Sequence, residues 1–113
     1  MQFHQVNSDL ALAGQLSLAD FEALVAQGFK TFINNRPDGE GSDQPVRSEF
    51  EARAKSLGVT YHYLPLPIGQ MPSVELAMAF KKALSESPAP VLAYCRSGNR
   101  SGQILKLAMT LPD

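Results

Sequence analysis

Cys95 is the only cysteine in this 113-residue chain, and its neighbours are of the kind a reactive thiol needs. In VLAYCRSGNRS, residues 91–101, an apolar run delivers the thiol to two arginines, a glycine, an asparagine and two serines. The backbone N–H groups of Arg96, Ser97, Gly98 and Asn99 can curl into a nest around an anion, Gly98 being free to take unusual dihedrals. A helix expected to follow from Ser101 adds its positive end at the same point. Arg100 can offer a planar fork to an oxyanion. The same field stabilises a thiolate, pulling a cysteine pKa from about 8.5 into the range of roughly 3.5 to 7.5. Free cysteines are often buried and inert, but core packing does not explain arginines, glycine and serine at such a turn. Cys95 is therefore expected to be a nucleophile.

A second candidate group lies in RPDGEGSD, residues 36–43. Arg36 is expected either to add positive charge to the pocket or to form a salt bridge within its loop. Asp38 and Glu40 are the carboxylates available as proton donors, a solvated turn residue being the plainer reading of both. His4 and His62 stand alone, without the ligand spacing of a metal site, so neither a metal nor a cofactor is expected.

The elements that must position these groups follow from periodicity. After a short extended N-terminal segment, residues 17–28 predict a helix with Ser17 and Asp20 as a capping pair and Gly28 as its end. Residues 29–34 predict a strand, 35–45 a long polar loop, 47–58 a helix closed by Gly58, and 59–66 a strand. A proline-bounded loop at 67–72 leads to a helix over 73–87 with Ser73 as its cap. Residues 89–95 are nearly all apolar, as in a strand buried on both faces, and 101–111 predict a last helix. Strands alternating with helices imply right-handed crossovers and a three-layer α/β architecture, a mostly parallel central sheet with flanking helices. Cys95 then falls at the carboxyl end of a central strand, the edge where open α/β sheets bind ligands.

Length and charge set the outer bounds. Residues 1–113 are expected to form a single domain, large enough to need no disulfide or metal staple. Ten Lys and Arg against eleven Asp and Glu give a net charge of −1, which argues against a nucleic-acid partner. No apolar run approaches the ~20 residues of a membrane span, and a lone thiol fits a reducing cytoplasm.

YCRSGNRS resembles the active loops of two families, the rhodanese sulfurtransferases and the cysteine-dependent protein phosphatases. The phosphatase signature places five residues between Cys and Arg. Here there are four, Arg96 to Asn99, which is closer to rhodanese, and the smaller ring suits a sulfur-sized or tightly held anion. The segments by which rhodaneses resemble one another earlier in the chain are absent. By contrast GQLSLADFEALVAQGFKTFINNRPDGE, residues 14–40, is similar to the opening of dual-specificity phosphatases. Over nearly the whole length, with INNRPDGE and VLAYCRSGNRS carrying the match, the chain resembles the phosphatase-like domain of the bacterial beta-lactamase-hydrolase-like proteins. That resemblance implies a cysteine-phosphatase-like fold with a rhodanese-like loop, occurring alone or joined to a metallo-beta-lactamase-like hydrolase. A metallo-beta-lactamase-like or redox enzyme is accordingly the expected protein partner.

Two reactions fit. In phosphatase chemistry Cys95 attacks phosphorus, Arg100 and the loop amides hold the oxygens, and Ser101 donates a hydrogen bond to the thiolate as the cysteinyl-phosphate breaks. Dual-specificity enzymes take their acid from the loop after the third strand, but here that loop, PIGQMP, has no carboxylate, leaving Asp38 or Glu40 to substitute. In sulfur transfer Cys95 carries a persulfide and needs no acid. The expected substrate is a small anion, a phosphate ester or a sulfane-sulfur donor. A non-catalytic anion-binding or regulatory domain is the third class, marked by an unreactive thiol.

Overall fold

Ser17 starts the first helix by a reciprocal exchange: its hydroxyl accepts from the Asp20 N–H at 2.9 Å, and the Asp20 carboxylate accepts from the Ser17 N–H at 3.0 Å. Two unpaired donors of the first turn are satisfied at once. The computed structural model describes residues 3–112; Met1, Gln2 and Asp113 of the expected 1–113 domain lie outside the described residues. The elements run β1 (Phe3–Asn7), β2 (Leu10–Ala13), α1 (Leu18–Ala26), β3 (Thr31–Asn34), α2 (Arg47–Leu57), β4 (Thr60–Tyr63), α3 (Val74–Glu86), β5 (Val91–Tyr94) and α4 (Asn99–Ala108). Gly58 closes α2 in the left-handed conformation, φ 75°, and the Ser73 hydroxyl caps α3 through the Leu76 N–H at 3.0 Å.

One five-stranded sheet has the order β1-β2-β5-β3-β4. Strand β5 lies between β2 and β3, parallel to both, and β4 is parallel to β3; only β1 is antiparallel, on β2. The alternation of side chains along the strands divides the apolar residues between two faces. Ala11, Ala13, Phe32, Leu92 and Tyr94 pack with Phe21 and Leu24 of α1 and Phe50 and Ala54 of α2. Ile33, Val91 and Ala93 pack with Ala77, Phe80 and Ala83 of α3 and Ile104 and Ala108 of α4. This is the three-layer α/β arrangement expected, with helices on both faces of a mostly parallel sheet.

Several element boundaries differ from expectation, and three of them have a clear physical reason. The extended N-terminal segment is a two-stranded hairpin, and the Asp9 N–H donates to the Asn7 Oδ1 at 2.8 Å in its turn. Strand β4 stops at Tyr63 because Pro65 has no N–H for a ladder. Instead, Leu64 and Leu66 donate to the Asn34 and Asn35 carbonyls, both at 2.9 Å. Helix α4 begins at Asn99 rather than Ser101, because Gly98, at φ 93°, turns the chain directly into it and the Gly102 N–H bonds to the Gly98 carbonyl at 2.9 Å. Among the described residues no helix is long and apolar enough to cross a membrane.

Candidate active site

The central strand β5 carries Cys95 one residue past its end, between the ends of β2 and β3. The Cys95 N–H donates to the Ala13 carbonyl at 3.3 Å, and the Asn35 N–H to the Tyr94 carbonyl at 2.8 Å, so both neighbours pin the strand end. After β2 the chain crosses the loop at Gly14. A Cβ there would lie 2.9 Å from the Arg96 carbonyl oxygen, closer than real contacts allow, and that carbonyl accepts from the Gln15 N–H at 3.1 Å. Glycine is what lets the first βα turn brace the cysteine loop.

The early start of α4 decides the thiol's environment. Arg100 and Ser101 fall in the first helical turn, where backbone N–H groups have no partner within the helix. Cys95 is 1 % exposed. Burial pushes its pKa up, but the backbone N–H groups of Ser101, Ser97, Arg100 and Gly98 outweigh it, and the net shift is downward. The Gly98 N–H donates to Sγ at 3.0 Å. A thiolate in this position is stabilised by fixed dipoles rather than by water.

Arg100, 8 % exposed, is anchored on one edge of its guanidinium. Nη1 donates to Glu40 Oε2 at 2.7 Å and to the Leu66 carbonyl at 2.9 Å, and Nη2 donates to Glu40 Oε1 at 2.8 Å. Its pKa is raised, first by the Glu40 hydrogen bonds and further by the Cys95 side chain. Glu40 in turn is lowered to about 2, its first cause being the Arg100 hydrogen bonds, with burial opposing and Arg36 assisting. Arg36, 5 % exposed, donates from Nε to Glu40 Oε1 at 3.0 Å and from Nη1 to Gln15 Oε1 at 3.0 Å. Of the two readings of Arg36, the loop salt bridge is formed. Gly41 makes room for it, since a Cβ there would lie 2.9 Å from Arg36 Nη2.

Ser101 differs from its expected part. Its hydroxyl donates to Asn35 Oδ1 at 2.8 Å, so its one O–H proton is directed to Asn35, and it is the Ser101 backbone N–H that serves the thiol. Asn35 passes the contact on, Nδ2 donating to the Leu64 carbonyl at 2.8 Å. Asp38 is turned to the start of α2, where Oδ1 accepts from the Arg47 N–H at 2.9 Å and its own N–H donates to the Tyr63 hydroxyl at 3.0 Å. That carboxylate is engaged as a helix cap and not with Cys95 or Arg100. Arg96, Ser97 and Asn99 are exposed on the loop. Arg96 lines a cleft of ≈ 510 Å³ together with Gln15, Ser17, Arg36, Glu40 and Asp43. His62 lies apart, its Nε2 at 2.8 Å from Ser87 Oγ and its pKa lowered by burial.

Glu40, Asn35 and Gln15 are the contributors that sequence reasoning missed or cast differently. The sequence offers Glu40 as a proton donor or, more plainly, a solvated turn carboxylate; it is instead paired with two arginines, and an acid held ionised in that way has no proton to give near neutrality. For Asn35 the available signal is two amide residues in succession, Asn34 and Asn35, at the carboxyl edge of a strand.

Similarity to known proteins agrees with this architecture. The model of the phosphatase-like domain of beta-lactamase hydrolase-like proteins matches residues 2–111. The beta-lactamase hydrolase-like protein of Agrobacterium fabrum is 37% identical over 101 residues, 89% of this chain and 23% of that one. The chain thus spans about a quarter of the length of the curated relatives it matches. Among solved structures, a candidate phosphatase of Neisseria meningitidis superposes with a TM-score of 0.82 at 29% identity, over 96% of this chain and 79% of that one. A candidate phosphatase of Shewanella putrefaciens gives 0.79 at 25% identity, over 95% and 66% of the two chains.

Proposed function

Since the chain belongs to the phosphatase-like domain family of the beta-lactamase hydrolase-like proteins, we propose that Cys95 is the nucleophile of an enzyme that transfers phosphoryl groups from small anionic substrates. The observation that carries this reading is the ring of backbone N–H groups from Ser97, Gly98, Arg100 and Ser101 around a buried thiol whose pKa they lower. The Cys95 thiolate attacks phosphorus, the P–O bond to the leaving group breaks, and the phosphoryl oxygens take the loop amides and Arg100 as donors. Water then cleaves the S–P bond and the thiolate is restored. Arg96 and the cleft beside it receive the rest of the substrate.

None of the positions expected to supply the acid does so. Glu40 is ionised, Asp38 caps α2, and residues 67–72 have no carboxylate. Loss of general-acid help costs about 10²- to 10⁴-fold for a poor leaving group, so the proposed substrates are esters and anhydrides that leave as stable anions. The same observation favours a second reading, sulfur transfer. There the Cys95 thiolate attacks the outer sulfur of a thiosulfate-type donor, sulfite departs with its electron pair, and an acceptor thiolate later removes the persulfide sulfur. The protein partner proposed, a metallo-beta-lactamase-like hydrolase or a redox enzyme, rests on the family resemblance. A reducing cytoplasm is proposed because Cys95 must remain a thiol.

The test is one preparation assayed for aryl phosphate hydrolysis and for thiosulfate-to-cyanide sulfur transfer, beside Cys95→Ser. Aryl phosphate turnover that greatly exceeds alkyl phosphate turnover and vanishes in Cys95→Ser is the expected result. A persulfide on Cys95, seen as one added sulfur by mass spectrometry, with no phosphate release replaces the first reading by the second. Alkylation by iodoacetamide that stays flat until about pH 8, as for an ordinary cysteine, defeats both.

A further inference from the structure

The loop carboxylate at the cradle is the feature that the reading above leaves without a task. Arg100 has five N–H donors. Three are engaged away from the thiol: two from Nη1, to Glu40 Oε2 and the Leu66 carbonyl, and one from Nη2, to Glu40 Oε1. Nε–H and the second Nη2–H remain, and they form the other edge of the planar fork. The Cys95 side chain, after Glu40, adds to the upward shift of the Arg100 pKa. Glu40 is itself fixed from behind by Arg36 Nε at 3.0 Å, and Arg36 by Gln15 at 3.0 Å.

We infer that Glu40 is a positioning residue: with Arg36 behind it, its carboxylate grips one edge of Arg100 and so aims the opposite edge at Cys95 and at the anion bound there. An arginine side chain otherwise has several rotatable bonds and considerable rotamer entropy to lose on binding an anion. A bidentate carboxylate on one edge and a carbonyl on Nη1 remove that freedom in advance. The inference rests on the reading that Cys95 and Arg100 form the anion site, but it assigns a distinct task to a residue outside the cysteine loop. It also separates Glu40 from the competing possibility that the carboxylate is an internal anion which substrate must displace.

The sign of the thiol's response separates these ideas. Removing a negative charge near a thiolate, with everything else in place, stabilises the thiolate. Releasing Arg100 from its aim removes a cationic donor and does the opposite. The experiment measures the pH midpoint of Cys95 alkylation and the binding of inorganic sulfate in the whole chain, for Glu40→Gln, Glu40→Asp and Arg100→Lys. The expected result for Glu40→Gln is a midpoint displaced upward, with sulfate affinity reduced roughly tenfold or more, the scale of losing a preorganised charge-assisted pair. Glu40→Asp keeps the charge but shortens the reach by one methylene, and it should shift both readouts in the same direction. A midpoint that falls or stays, sulfate that binds more tightly, or wild-type behaviour in Glu40→Asp overturns the positioning role. Arg100→Lys is the control for the underlying reading. If it changes neither the thiol nor sulfate binding, Arg100 is not part of the anion site, and the failure lies there rather than with Glu40.

Discussion

Replacing Ser101 by alanine separates two ways in which this residue could serve the thiol. In the structure the hydroxyl donates to Asn35 Oδ1 at 2.8 Å, and both residues are fully buried. Ser101→Ala leaves Asn35 Oδ1 without a donor where water does not reach. A buried acceptor deprived of its partner costs about 1–3 kcal/mol. For a domain near 100 residues each kcal/mol is worth about 4–8 °C in melting temperature, so a fall of roughly 4–24 °C is expected. The thiol should not notice, because its contact is with the Ser101 backbone N–H, which alanine keeps. The assay is thermal unfolding beside the pH profile of iodoacetamide alkylation. A cycle with Asn35→Ala and the double variant should give a coupling of about 0.5–3 kcal/mol, as for residues in one hydrogen-bonded network. An alkylation profile displaced toward that of a free cysteine with the melting temperature unchanged would refute the reasoning. It would mean that the hydroxyl serves the sulfur and the bond to Asn35 is incidental.

Two further outcomes follow from the same geometry. Gly98→Ala forces a side chain into a backbone with φ 93°, at a cost of roughly 1–2 kcal/mol; the added Cβ would meet the Ala13 carbonyl oxygen only at an ordinary 3.6 Å. A lower melting temperature together with an alkylation midpoint moved toward pH 8.5 is expected, and an unchanged profile would show that the Gly98 N–H is dispensable to the thiol. Glu40 has its folded pKa lowered from 4.5 to about 2, so its ion pairs stabilise the fold above pH 4.5 and that contribution is lost as pH falls through about 2. Denaturant unfolding between pH 5 and 2 should therefore be flatter in Glu40→Gln than in the parent, and parallel acid limbs would count against the ion pairs.

Much of the frame was legible because local signals and global pattern agreed. Ser17 with Asp20, Ser73 before an amphipathic run, and glycine at positions 28 and 58 each mark a helix end by a local mechanism that packing has no reason to override. The run VLAY is apolar on every residue because β5 is central and covered by helices on both faces. The hairpin was not legible. In β1 only Phe3 is half-buried, while His4 to Asn7 are exposed, so no alternation of burial is written into its residues. The start of α4 was misplaced for a related reason. Asn99 is a weak helix signal, and what commits the chain there is the backbone turn at Gly98, which a one-dimensional pattern does not register.

The cysteine loop and the carboxylate opposite it represent two different kinds of information. Cys95 to Ser101 are contiguous, and their chemistry follows from a strand end, a glycine turn and a helix start in that order. Residue types alone disclose such a site because the backbone that builds the cradle is the backbone of those same residues. Glu40 meets Arg100 across 60 positions of sequence, and nothing in DGEGS distinguishes an ion-paired carboxylate from a solvated turn. Whether a loop carboxylate is an acid or an ionic clamp depends on its neighbours' charge. Here the paired carboxylate, held at about 2 between Arg36 and Arg100, has given up the one property that general acid catalysis requires. The same two arginines that make Glu40 useless as a proton donor make it effective as a brace. The choice between those tasks is made by the close approach of α4 and the loop after β3 at the sheet edge, a tertiary fact that the sequence of either segment does not contain.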